Sequence, residues 1–278
     1  MSEYEKIIER YRKHSKEAHG DDGSVRISGF PKFSEFGINF SRISQEQARA
    51  LLVASSFSLA YSGMNVFITE DQVRLWDAVG KHLLDPPSLY FNETNDKPFP
   101  WELSYLRTLF VTTIKTETGE WSLVQKSKLS EWNWFNATPE HPFPSHSTKP
   151  AEYFVFPLFE AVLKNFLSEY IDFSGVVKKE FRNYKVGQRC SNIGHLLTLM
   201  LNRSNHPSLI SDSKIILELI QFIYPNRDAA EVIANEWRNP ALHGDQNVST
   251  SSGLILNLTL LVAVNSCTEV QWDARFDV

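Results

Sequence analysis

The sequence predicts an α+β chain, in which a mixed α/β N-terminal region precedes an all-helical C-terminal bundle. Three observations predict it. Short alternating apolar runs lie among helical patterns in the first half. Residues 137–150 then hold Pro139, Pro142, Pro144 and Pro150, a spacing that suits neither a helix nor a central strand. Beyond them the apolar spacing is helical almost without interruption. The resulting division is an N-terminal region at 1–136, a proline-rich linker at 137–150 and a helical domain at 151–278.

Element by element, the segment from Glu3 to His19 is charged, with Ile7, Ile8 and Tyr11 as a narrow apolar stripe. It reads as a short exposed helix or arm, broken by Gly20-Asp21-Asp22-Gly23. Val25–Phe30 and Phe36–Phe40 alternate as strands do. Ser44 with Gln47 is a capping-box signature, and a helix over 45–61 follows. Thr69 with Gln72 repeats the signal before Val73, Trp76, Val79 and Leu83, and Asp85-Pro86-Pro87 stops that helix. Leu106–Lys115 and Trp121–Lys126 read as strands joined at Thr118-Gly119-Glu120. In the C-terminal half, helices are expected at 153–172, 191–203, 212–224, 227–238 and 252–269. Ser211 or Asp212, Asn226, and Ser251 or Ser252 are the candidate N-caps of the last three.

With 278 residues, 42% of them hydrophobic and 22% charged, the chain can bury a substantial core without staples. A net charge of −5 argues against a dedicated duplex-DNA coater, whose affinity comes from neutralising many phosphates. It leaves room for a nuclease with one local basic patch. Cys190 and Cys267 stand in no C-x-x-C or C-x-x-H pairing, so neither a disulfide framework nor a zinc site is expected. No cofactor is expected either. A reducing cytoplasm fits, the N-terminus carries no apolar signal core, and no membrane association is expected. Leu254–Val264, the most apolar stretch, is too short to span a bilayer and reads as a buried core helix.

The stretch that carries chemistry is Asn235-Glu236-Trp237-Arg238-Asn239-Pro240-Ala241-Leu242-His243-Gly244. Ala229, Ala230, Ile233 and Trp237 form the apolar stripe of the preceding helix. Pro240 disfavours helical geometry at Asn239, so a break is expected there. On an unbroken helix, residues five apart point about 140° away from each other; a break, or a site built from two chains, lets Arg238 and His243 converge on one phosphate. Imidazole can take a proton from a 2′-hydroxyl, and imidazolium can return one to a leaving 5′-oxygen. The guanidinium fork matches phosphate oxygens and offsets charge building on phosphorus. The amide of Asn239 can hold the arginine, the histidine or a phosphate. By residue frequencies, Arg-Asn-x3-His-Gly arises by chance about 0.001 times in such a chain. Arg182-Asn183 provides a contrast, because Gly187 stands where the histidine would be.

Arg238, Asn239, His243 and Gly244, at the end of a helix and followed by a last apolar helix, resemble the HEPN superfamily over about 151–278. The resemblance implies a small helical bundle, often dimeric, whose two Arg-x4-His motifs face each other across one RNA-cleaving cleft. It implies a metal-independent endoribonuclease with RNA as substrate and a homodimer as the working form. It also implies a setting in toxin–antitoxin or anti-phage systems, with an antitoxin or regulatory partner. Arg238, Asn239 and His243 are then the catalytic residues. The alternative is a non-catalytic HEPN-like module that binds RNA, a nucleotide or a protein, with Arg238 favoured near a helix C-terminus by the dipole and His-Gly as a helix stop.

Lys178, Lys179, Arg182, Lys185 and Arg189 form a basic run that either contacts RNA phosphates or is a solvated loop. Trp132, Trp134 and Phe135 either stack on bases or pack in a core. His141 and His146 lack partners with metal-ligand spacing. Glu160 and Glu169 on the first bundle helix either reach the cleft or face solvent.

Overall fold

The computed structural model describes residues 2–18, 31–61, 70–84, 149–242 and 251–273. Three helices lie in the first half: α1 (Glu3–Ala18), α2 (Gln45–Tyr61) and α3 (Glu70–Leu84). In the second half come α4 (Lys149–Phe166), α5 (Ile193–Arg203) and α6 (Pro207–Ile223). A composite helix, α7, follows as Ala229–Glu231, Val232–Arg238 and Asn239–Leu242 in succession. The last two are α8 (Ser251–Asn265) and the short α9 (Glu269–Asp273).

The predicted α+β class is overturned. Among the described residues there is no sheet; β-pairing is confined to the isolated bridges Ile171–Val177, Val176–Arg189 and Phe181–Tyr184. The expected strand at Phe36–Phe40 is instead the junction of two 3-10 turns, Phe33–Phe36 and Phe40–Arg42. Gly37 (φ 66°) ends the first turn, and the side chain of Asn39 accepts from the Ser41 N–H to start the second. The alternation misled because Gly37 and Asn39 turn the backbone between two separate 3-10 turns. Phe33 and Phe36 both stack near Tyr11 of α1, at 5.9 and 6.2 Å between ring centroids, and Phe40 lies 6.3 Å from Phe33. The strands expected at Val25–Phe30, Leu106–Lys115 and Trp121–Lys126, and Trp132, Trp134, Phe135, His141 and His146, lie outside the described residues. So does the proline-rich stretch, except that its last two residues open α4.

Helices from both sides of that stretch build one core. α1 is no free arm: Ile7, Ile8 and Tyr11 are buried against α2. α2 is held at its start by the expected capping box, in which the Ser44 and Gln47 N–H groups donate to each other's side chains at 3.1 Å. Rich in alanine and serine, α2 is buried from Ala50 to Ala60 and packs on α1, α6 and α8. Every residue of α8 is buried, as the sequence leads one to expect of Leu254–Val264. α8 lies against α4, α2, α6 and α3.

Asn257 supplies the polar centre. Its Nδ2 lies 2.9 Å from the Leu52 carbonyl, Ser55 Oγ and Ser56 Oγ, and its Oδ1 accepts from Trp76 Nε1 at 2.8 Å. A second tie joins α6 to α1 and α2, where buried Asp212 accepts from Arg49 Nε at 2.8 Å and from the Tyr4 hydroxyl. Burial and then this hydrogen bond push the Tyr4 hydroxyl pKa well above its usual value.

The other helix limits move in ways that chain context explains. α4 stops at Phe166, and a compact loop with the three bridges follows. α6 starts at Pro207 rather than at 212, with proline in its first turn. Ser211 and Asp212 are therefore interior residues, not caps. Asn226 is a left-handed turn residue (φ 66°), and the cap of α7 is Asp228, whose Oδ1 accepts from the Glu231 N–H at 3.0 Å.

Candidate functional site

The motif helix α7 is seated as its apolar stripe predicts, with Ala229, Ala230, Ile233 and Trp237 buried. Trp237 Nε1 donates to the Tyr224 hydroxyl at 3.2 Å. The expected break at Asn239 is absent. Asn239 is right-handed helical (φ −64°, ψ −49°), and Val232–Arg238 is a π-helix whose last bond runs from the Asn239 N–H to the Ala234 carbonyl. The physical reason is Pro240. In a regular α-helix its ring would meet the carbonyl four residues back. The wider i→i+5 turn relieves that conflict without ending the helix.

Arg238 is the last residue of the π stretch, and its side chain is 22% exposed. Its Nη2 donates to Glu160 Oε2 at 3.0 Å and its Nη1 to Asn239 Oδ1 at 3.4 Å. The other oxygen of Glu160 takes Lys164 Nζ at 2.8 Å. Two cations thus share one carboxylate, with Lys164 and Glu160 only 13% and 15% exposed. The cluster carries net positive charge, and the guanidinium keeps N–H groups with no other partner among the described residues. Such an arrangement fixes an arginine in orientation while leaving it able to meet an anion. Asn239 itself is exposed. His243 lies outside the described residues.

The basic run does not gather around Arg238. Lys179 Nζ sits 2.6 Å from Glu169 and over the Tyr170 ring, and Lys178 Nζ donates to the Ser168 carbonyl at 2.7 Å. The hydrogen bond that it donates to Glu169 holds the Lys179 ammonium above its usual pKa. Lys185 and Arg189 are exposed on the same loop. Of the two glutamates, Glu160 meets the motif and Glu169 does not.

Arg182 goes elsewhere, to the rim of a cleft of about 800 Å³ between the loop, α5 and α7. Asn183, Tyr184, His195, Asp228, Glu231 and Asn235 share this cleft. The Tyr184 hydroxyl and His195 Nδ1 are 2.9 Å apart, with ring centroids at 5.6 Å. Burial and then the charge of Arg182 lower the His195 pKa. Burial and then the neighbouring Cys190 thiol push Tyr184 up to about 12. Sequence reasoning missed His195. The one signal was Arg182-Asn183, which lacks a histidine five residues on but shares its cleft with His195 of the next helix.

Among the described residues, no three His, Cys, Asp or Glu side chains come together as a metal site, and no helix is long and apolar enough to cross a membrane. Compared with models of known families, with characterised proteins and with solved structures, the chain gives no match in any of the three.

Proposed function

We propose that the chain is a metal-independent endoribonuclease that cleaves RNA by attack of the substrate's own 2′-hydroxyl. The observation that carries this reading is the pattern Arg238-Asn239-x3-His243-Gly244 at the end of a helix, with Arg238 held in place by Glu160. His243 supplies the acid–base group, and Arg238 offsets charge on the pentavalent phosphorus. The π-helical turn that presents Arg238 supports the reading, since such turns cluster at functional sites. Glu160 is engaged by two cations, so it serves to orient the arginine and not as a metal ligand. Intramolecular attack by the 2′-hydroxyl has a large proximity advantage, and DNA, which lacks that hydroxyl, is inert. The working form is a homodimer with its two motifs facing, and the setting is cytoplasmic, as a toxin or anti-phage effector under an antitoxin or regulator. The dimer rests on the resemblance alone. The apolar faces of α7 and α8 are spent inside the monomer.

The test is incubation of the full chain with total RNA in excess EDTA. Cleavage should persist and leave 5′-hydroxyl ends with 2′,3′-cyclic phosphate or 3′-phosphate. His243→Ala should cut the rate about 10²–10⁴-fold, and Arg238→Lys should also be poor because a point charge does not replace the fork. Metal-dependent cleavage, DNA cleavage, or full activity in His243→Ala would each overturn the mechanism.

A second reading, a binding module without catalysis, is favoured by one observation: Glu160 already engages the guanidinium. It predicts RNA binding without cleavage, unaltered by His243→Ala.

A further inference from the structure

We propose that the cleft at Arg182 is a ribonucleotide-binding site, in which Arg182 holds a phosphate, Glu231 accepts from the ribose hydroxyls, and Asn183 and Asn235 meet the base edge. The site stands independently of RNA cleavage at Arg238 and is tested by binding alone.

Charges of both signs line the cleft and leave each other unpaired. Arg182, from the loop, has no ion-pair or hydrogen-bond partner among the described residues, whereas Lys178 and Lys179 of the same loop do. Its backbone sits at φ 49°, a region non-glycine residues rarely adopt. Glu231, from α7, is exposed, and its carboxylate likewise has no partner among the described residues. Asp228 beside it is occupied in part by capping α7. A simple anion would be repelled by Glu231 and Asp228, and a simple cation by Arg182. The ligand that suits both presents an anion to the arginine and O–H or N–H donors to the carboxylate.

Size and the remaining groups narrow the class. An amino acid would satisfy the two charges but leave most of the roughly 800 Å³ to water. A nucleotide fills such a space. Its phosphate matches the guanidinium fork, and its cis-diol is the usual partner of a carboxylate at a ribose. The side-chain amides of Asn183 and Asn235 make no hydrogen bond among the described residues, and amides are suited to base edges. Tyr184, fixed by its contact with His195, adds an aromatic wall for the base. The same chemistry is offered by a free ribonucleoside monophosphate and by one nucleotide of an RNA strand.

The experiment is calorimetric titration of the full chain with AMP, GMP, CMP and UMP, their 2′-deoxy counterparts, and a 5′-phosphorylated five-nucleotide RNA. The RNA arm uses the His243→Ala chain, so that cleavage cannot consume the ligand. At least one ribonucleotide ligand should bind with Kd of about 1 mM or tighter, and the deoxy form should be weaker by about fivefold or more. Arg182→Asn and Glu231→Gln should each weaken binding about tenfold; asparagine tolerates positive φ, so the loop is kept. Binding of the monophosphates supports the site and assigns it to free nucleotides. Binding of the RNA alone, with the same losses in the variants, supports it and assigns it to a strand. The proposal is overturned if nothing binds up to about 10 mM, if ribo and deoxy forms bind equally, or if neither variant weakens binding.

Discussion

The fold brings His195 into the cleft that Arg182 lines, and this placement bears on the protonation of the imidazole. His195 is half-buried, its Nδ1 is 2.9 Å from the Tyr184 hydroxyl, and both burial and the Arg182 charge disfavour the imidazolium. Its folded pKa therefore lies below the unfolded value of about 6.5. As pH falls through the interval between the two, the unfolded chain takes up a proton that the folded chain refuses. The stability tied to neutral His195 is complete above the unfolded pKa and is lost as pH drops through the folded one. Thermal melts from pH 7.5 to 5 should thus show a steeper decline for the natural chain than for His195→Gln. Parallel curves would mean that the imidazole feels neither effect. This residue also marks a limit of sequence reading. Arg182 and His195 belong to different elements, and Glu160 is 78 residues from Arg238. Only the fold joins either pair, whereas Arg238-Asn239-x3-His243 is a contiguous motif that the sequence alone presents as a candidate.

Between α5 and α7 the approach is close enough to be set by a missing side chain. A Cβ on Gly194 would lie 2.7 Å from the Ala230 carbonyl oxygen, which is backbone and cannot swing aside. Gly194→Ala should therefore cost about 1–3 kcal/mol, read as a lower urea midpoint with unchanged slope. It should also alter the cleft, since Gly194 and Ala230 both line it. Elements with self-contained signals were readable from the sequence. The capping box at Ser44 and Gln47 locates α2, and the stripe through Trp237 locates the buried face of α7. Elements decided by distant partners were not. Asp212 has the composition of a cap, yet it is buried within α6 because Arg49 and Tyr4 satisfy it. Phe36 and Phe40 alternate like a strand, yet they belong to two separate 3-10 turns, with Phe33 and Phe36 against Tyr11 and Phe40 against Phe33. Pro240 disfavours helix locally, yet a π turn absorbs it.

At the level of the whole molecule, the centre of the core is α8, and its surroundings come from both ends of the chain. It packs on α2 and α3 from the first half and on α4 and α6 from the second. Asn257 alone ties the Leu52 carbonyl, Ser55, Ser56 and Trp76. Gln45 Nε2 donates to the Val264 and Cys267 carbonyls, and Trp272 Nε1 donates to the Ile43 carbonyl. A fragment covering 149–278 would bare the side of α8 that α2 and α3 cover, leave Asn257 without these protein partners, and deprive Asp212 of Arg49. Each large apolar side chain uncovered forfeits about 1.5–3 kcal/mol, and breaking a buried ion pair costs about 3–5 kcal/mol. A handful of such losses exceeds the roughly 5–15 kcal/mol that separates a folded domain from its unfolded chain. The full chain should therefore unfold in urea as one transition, coincident by tryptophan fluorescence and far-ultraviolet circular dichroism. The 149–278 fragment should keep helical signal but lose near-ultraviolet dichroism and a sharp melt, and it should bind a hydrophobic dye. A fragment that melts cooperatively near the temperature of the full chain would show that the helical half folds alone and that α1–α3 merely dock on it.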